Sequence, residues 1–261
     1  MLRPAFLLLL PLPLAACSID PSPNAPEAKT LTVAAAASLT DVFTDIEATF
    51  EAQHPDIDIQ LNFAASGTLQ RQIEQNAPID LFASAGEKPM DELTDRGLID
   101  AETRQVFARN RIVVVVPRER SIDLEDLDQL NEMEIDRIAI GNPETVPAGR
   151  YAKQALEAAN VYRELEDDRR FVFAENVRQV LAYVEQNSVD LAIVYQTDAA
   201  TSDLVRPVFP IPPELSEPIR YPIAVIAGSQ KSDAALQFID FATGPEGRAI
   251  LEQYGFLGTR Q

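Results

Sequence analysis

The chain has 261 residues, enough for two lobes of about 100 residues each, both with a real core. Its 41 Asp and Glu outnumber 22 Lys and Arg, giving a formal charge of −19 with no basic run to offset it, which disfavours nucleic acid and anionic lipid surfaces as partners. The single cysteine excludes an intrachain disulfide, so the fold must rest on its core.

The N-terminus, MLRPAFLLLLPLPLAAC, has one positive charge at Arg3, an apolar run from Ala5 to Leu14, and small residues ahead of Cys17. That order is a secretory signal, too short for a spanning helix. Residues 1–16 are expected to be removed on export, which places the chain on the periplasmic or cell-surface side of a bacterial membrane. The segment LAAC resembles the bacterial lipobox, in which cleavage precedes the cysteine and its sulfur takes a diacylglycerol, so Cys17 is the expected lipidation site. An ordinary signal peptide beside an incidental cysteine is the alternative. Residues 17–29, rich in proline and polar side chains, read as a flexible tether, and the membrane is met by the lipid anchor only.

From Leu31 on, β-type runs alternate with amphipathic helical stretches. LTVAAAA precedes a helix starting near Leu39 with Val42, Phe43, Ile46 and Phe50 on one face. IDIQLNFAAS precedes TLQRQIEQN, and IDLFASA precedes KPMDELTDRGLI. RIVVVVP, residues 111–117, is a continuous β-branched run ended by proline, as expected of a strand buried on both faces. The pattern then restarts with a helix near Leu124 to Leu130, strand RIAIG, a loop NPETVP, helix AGRYAKQALEAAN, strand RFVFA, helix NVRQVLAYVEQN and strand VDLAIVY. A proline-rich crossing, residues 206–222, leads to strand IAVIAG and helices SDAALQFIDFAT and PEGRAILEQYG. No repeat of fixed period is present, which excludes solenoids. Strand followed by helix, repeated, predicts the α/β class with mostly parallel sheets. Two extended crossings predict two lobes, the first from residues 30–110 and 219–261, the second from residues 111–218.

In open α/β sheets ligands sit beyond the carboxyl ends of the strands, where helix N-termini offer unpaired N–H groups. Four strand-to-helix junctions stand out, at Ser38, Ser66, Ala148 and Val177, and a fifth strand end presents Tyr195. Each has a plain structural alternative. The serines are candidates for helix caps, the commonest role of serine at such positions. Asn176 is a candidate cap for the helix at Val177, Gly67 and Gly141 for relief of turn strain, and Tyr195 for a core aromatic. At Ala148 only the backbone is available: Pro147 suits the first helical position and leaves the amides of Ala148 and Gly149 free. Neutral hydroxyl and amide donors suit a fully ionised tetrahedral oxyanion held by hydrogen bonds and helix dipoles without a counter-cation. The absence of a carboxylate acceptor disfavours phosphate, whose remaining proton is left unpaired on burial.

These junctions carry a resemblance. VAAAASLTDVFTDI, FAASGTLQRQIEQNAPIDLFASA, GNPETVPAGRYAKQAL, AENVRQVLAYVE, LAIVYQTDA and RYPIAVI resemble the periplasmic molybdate-binding family, the substrate-binding components of molybdate ABC importers, in order from about Leu31 to Gly258. The resemblance implies a two-lobed type II periplasmic-binding fold with the ligand in the interlobe cleft and no catalysis. It implies Ser38, Ser66, Ala148, Val177 and Tyr195 as the oxyanion ligands, Ala148 and Val177 through their amides. It departs from the family at Gly67, where serine is frequent. Tungstate is expected to bind as molybdate does, and sulfate, being smaller, to leave donors stretched. The implied partners are the oxyanion and the transmembrane subunits of a permease, with no cofactor, no metal beyond the centre of the anion, and a monomeric chain. Another tetrahedral oxyanion such as sulfate or thiosulfate is the nearer alternative. A secreted hydrolase is the remote one: His54 is the only histidine and is expected at the surface, Asp167 and Asp168 lie in a charged stretch that reads as solvated, and neither a nucleophile elbow nor a phosphate loop is present.

Overall fold

Helix α1 (Thr40–Gln53) buries Val42, Phe43, Ile46 and Phe50, the face its 3.6-residue spacing predicts. It belongs to a computed structural model that describes residues 29–259; Cys17, the leader and all but the last tether residue lie outside that range. The first lobe continues around it with β1 (Lys29–Ala36), β2 (Ile57–Ala64), α2 (Ser66–Glu74), β3 (Leu81–Ala83), α3 (Glu87–Asp95) and β4 (Gln105–Arg109). Lys29, expected at the end of the tether, is the first residue of β1. The second lobe follows with β5 (Ile112–Pro117), β6 (Ile138–Gly141), α4 (Pro147–Ala158), α5 (Tyr162–Asp167), β7 (Phe171–Ala174), α6 (Val177–Glu185), β8 (Leu191–Tyr195), α7 (Gln196–Ala200) and β9 (Val205–Pro210). The chain then returns with β10 (Arg220–Val225), α8 (Ser232–Thr243) and α9 (Pro245–Gln253).

Two five-stranded sheets result, in the orders β2-β1-β3-β10-β4 and β7-β6-β8-β5-β9. Within each, three strands pair in parallel and one, β10 or β5, runs antiparallel to both its neighbours. The reversed strand is in both cases the one the chain forms on arriving from the other sheet, between Arg109 and Ile112 or between Pro210 and Arg220. Each sheet has helices on both faces. In the first, Leu31, Val33 and Ala35 join the core that includes α1 and α8, while Ala34 and Phe82 pack with Leu69, Met90 and Leu93 from α2 and α3.

The β5 run is buried along its whole length, as its sequence predicts, and it runs antiparallel to both neighbours: full burial follows from its place inside the sheet, whichever way the strand runs. The structure corrects three local expectations. Residues 124–130 form no α-helix; a 3-10 turn, Leu127–Asn131, takes their place. The proline-rich crossing contains strand β9, an edge strand on which Pro207 and Pro210 forfeit no central ladder bond. Strand β10 begins at Arg220, ahead of Pro222, and the register against β4 shifts between Tyr221 and Pro222. A bulge there is what admits proline to a central strand.

Candidate functional site

Neither serine caps a helix. Ser38 lies in the 3-10 turn Ala37–Leu39 between β1 and α1, and Ser66 is the first residue of α2; no side-chain cap bond forms at either place. Their hydroxyls are used in tertiary contacts instead. Ser38 Oγ lies 3.2 Å from the Tyr221 hydroxyl, and Ser66 Oγ accepts the Ala85 N–H at 3.0 Å. Asn176 does cap α6, its Oδ1 accepting the Gln179 N–H at 3.0 Å.

Backbone donors are left over at the same junctions. Pro147 opens α4 as expected. The first amide of that helix to find an acceptor is Arg150, on the Val146 carbonyl at 3.1 Å, so the N–H groups of Ala148 and Gly149 are unpaired among the described residues. In α6 the first bonded amides are Gln179 and Val180, which leaves Val177 and Arg178 in the same condition. Gly149 is required by contact rather than by dihedral angle: a Cβ there would lie 1.9 Å from the Gly141 carbonyl oxygen, so only glycine seats the first turn of α4 on the end of β6.

These junctions are brought together across the two lobes. The Tyr195 hydroxyl donates to the Ala85 carbonyl at 3.0 Å, and Ala85 is also the residue that holds Ser66. The Tyr195 and Tyr221 rings lie 5.6 Å apart, linking Tyr195 to Ser38. The Gly67 N–H donates to the Thr145 carbonyl at 3.0 Å, joining the loop before Ala148 to α2. Helix α6, which starts at Val177, packs on the turn that carries Ser38. Ser38, Ser66, Ala148, Val177 and Tyr195 are each at most 4 % exposed, so the lobes are shut over them. A surface depression of about 810 Å³, lined by Asp41, Arg178, Thr197 and Tyr254 among others, contains none of the five. Burial pushes the Tyr195 hydroxyl well above its ordinary pKa, which keeps it a protonated donor.

Cations also flank the junctions, beside the neutral donors that the strand ends supply. Arg178 Nη2 reaches Asp41 of the first lobe at 2.6 Å, and its Nε lies 2.9 Å from Asp198 Oδ1 with no well-aligned hydrogen bond on either carboxylate oxygen. Arg150 sits over the Tyr151 ring at 5.1 Å with its buried Nε unpartnered. A Cβ on Gly86 would lie 3.1 Å from an Arg150 terminal nitrogen, so this guanidinium packs against the Ala85–Gly86 turn. The sequence did not single out Tyr221 or Ala85, the residues that hold the candidate donors. Their partners are far away in the chain, and no local pattern marks them. Asp167 and Asp168 are exposed, as expected, and His54 is half-buried, stacked on Phe50 at 4.3 Å.

Two α/β lobes, joined by two crossings and closed over buried donors at their strand ends, are the build of a two-lobed solute-binding protein. The chain belongs to the bacterial extracellular solute-binding protein family, whose model matches residues 31–257. It is 39% identical over 230 residues to the molybdate-binding protein ModA of Escherichia coli, covering 87% of this chain and 88% of that one. It is 33% identical to ModA of Haemophilus influenzae, over 87% of this chain and 89% of that one. The periplasmic molybdate-binding protein of Azotobacter vinelandii shares the fold, with a TM-score of 0.80 at 24% identity over 88% of this chain and all of the other.

Proposed function

We propose that this chain captures molybdate, and tungstate with it, between its two lobes and delivers the anion to the membrane permease of an ABC importer. The observation that carries the reading is the set of buried donors at the strand ends of both lobes, the hydroxyls of Ser38, Ser66 and Tyr195 with the unpaired amides of Ala148 and Val177, in a chain 39% identical to a molybdate-binding protein. In this reading the Ser38 and Ser66 hydroxyls, the Ala148 and Val177 amides and the Tyr195 hydroxyl each donate to the oxyanion. Tyr195 exchanges the Ala85 carbonyl for an anion oxygen. Helix dipoles at the starts of α2, α4 and α6 add to the field. With contacts supplied from both lobes, closure holds the anion and opening releases it, and no covalent bond is made or broken.

The proposal extends to location and assembly: an exported monomer, without cofactor or enzymatic activity, attached to the membrane through lipid on Cys17 and docked to the permease's transmembrane subunits. Replacing Cys17 by Ser is expected to move the chain from the membrane fraction to the soluble fraction with its anion affinity unchanged; continued membrane attachment would contradict lipidation.

Thermal unfolding of the mature chain with molybdate, tungstate, sulfate and phosphate tests the ligand. A ligand at 100 times its dissociation constant adds about 2.7 kcal/mol to the stability of the folded state. Molybdate and tungstate are expected to raise the midpoint by several degrees at concentrations where sulfate and phosphate do not. An equal rise with sulfate would favour a general or sulfate-directed oxyanion binder.

A further inference from the structure

Ser38 is a hydroxyl, and a hydroxyl can offer an anion either its hydrogen or a lone pair. Which one it offers is decided by its neighbours. Ser38 Oγ lies 3.2 Å from the hydroxyl of Tyr221, a fully buried residue on the reversed strand β10, beside the bulge at Pro222. The Tyr221 oxygen also lies 3.2 Å from Asn110 Nδ2. Asn110 is itself 6 % exposed, in the crossing between the lobes, and its amide orientation is fixed: Oδ1 accepts the Arg111 N–H at 2.9 Å, while Nδ2 gives one hydrogen to Thr197 Oγ1 at 2.9 Å and the other to Tyr221.

The polarity then propagates. Since Asn110 Nδ2 is a donor only, the Tyr221 oxygen accepts from it. The Tyr221 hydrogen, buried, needs an acceptor of its own; Ser38 Oγ is the one 3.2 Å away, while the neighbouring Tyr195 hydroxyl, whose own hydrogen goes to the Ala85 carbonyl, makes no hydrogen bond with it within 3.5 Å. Burial holds the Tyr221 hydroxyl well above its ordinary pKa, so that hydrogen stays in place. With a lone pair of Ser38 filled from Tyr221, the serine hydrogen is directed away from Tyr221. We infer that Asn110 and Tyr221 are positioning residues of the oxyanion site, which orient the Ser38 hydroxyl as a donor and thereby set the preference for anions that carry no proton. The inference rests on the oxyanion reading of the site above. Ser66 has an analogous arrangement, its oxygen accepting the Ala85 N–H, so one lone pair of each serine is already filled, by a backbone amide in one case and through a side-chain relay in the other, and each hydrogen is turned away from that neighbour.

A double-mutant cycle read by calorimetric titration with molybdate tests it, using Tyr221→Phe, Ser38→Ala and the two combined. Tyr221→Phe keeps the ring and removes only the hydroxyl. It is expected to weaken molybdate binding by about fivefold in the native background and to have almost no effect when Ser38 is already alanine. An equal loss in both backgrounds, or no loss in either, would overturn the relay. If Ser38→Ala binds too weakly to titrate, the ratio of molybdate to hydrogen phosphate affinity decides. Tyr221→Phe lowers that ratio if the serine is freed to accept the phosphate proton, and leaves it unchanged if the tyrosine only packs. If Tyr221→Phe fails to fold, Asn110→Ala is expected to shift the same quantities in the same direction, and unchanged values there would count against the relay. A native chain that does not bind molybdate at all would refute the oxyanion reading instead.

Discussion

At the scale of single residues, close approach across the cleft imposes the tightest requirement. A Cβ on Gly67 would lie 2.7 Å from the carbonyl oxygen of Thr145, in the other lobe, to which the Gly67 amide donates. The obstruction exists only when the lobes meet, so it acts on closure and leaves each lobe's own folding alone. Gly67→Ala is therefore expected to weaken anion binding about tenfold, by an overpacking cost of roughly 1–3 kcal/mol felt in the closed state, with little change in the unfolding midpoint of the ligand-free chain. Titration together with thermal melts checks this, and unchanged affinity would show that the contact is not needed for binding. Residue-level features were legible in the sequence where the physics is local. Pro147 at the start of α4 and Asn176 as the cap of α6 are examples, since each depends on a neighbour no more than three or four positions away. The uses of Ser38 and Ser66 were not legible, because the Tyr221 hydroxyl and the Ala85 amide that meet them are 183 and 19 residues distant. The plain expectation that they cap helices failed for that reason.

At the scale of elements, the long amphipathic helices and the mostly parallel sheets were legible, whereas the 3-10 turn at residues 127–131, the short helices α5 and α7 and the reversal of one strand in each sheet were not. The buried stripe of α1 follows from periodicity, whereas β5 and β10 look the same in sequence whether they run with or against their neighbours. Both are apolar runs buried in a sheet, and their reversal is decided by the path of the crossings. Helices α1, α6 and α7 meet at Arg178, which pairs with Asp41 and lies against Asp198. Asp198 is fully buried, and that burial pushes its carboxyl up to about 7, with Arg178 opposing the shift and the nearby Asp41 carboxylate adding to it. Between the ordinary carboxylate range and about pH 7 the folded chain then holds a proton that the unfolded chain has released. The folded state binds more protons across that window, so its stability falls as pH rises through it and levels off above. Asp198→Asn removes this titration. The variant's midpoint, measured relative to the native chain's, is expected to rise between pH 5 and pH 8. Parallel pH profiles would contradict a proton shared between Asp198 and the fold.

At the scale of the whole molecule, two sheets of matching strand order, each completed by a strand arriving from the other side, place their strand-to-helix junctions on either side of one cleft. The two-lobed α/β plan was legible because strand and helix alternate along the chain and the alternation restarts after β5. The shut state was not, since it depends on contacts between lobes: Gly67 with Thr145, Tyr195 with Ala85, and Arg178 with Asp41. The acidic surface implied by the charge of −19 is largely screened by salt, so a strongly negative protein can hold a dianion provided the donors are buried and oriented. The most direct test of this account is the anomalous scattering of molybdenum from crystals of the mature chain grown with molybdate. The account predicts one strong peak between the lobes, with its oxygens within hydrogen-bond distance of the Ser38 and Ser66 hydroxyls, the Ala148 and Val177 amides and the Tyr195 hydroxyl. A peak in the open depression beside Arg178, or none between the lobes, would contradict it.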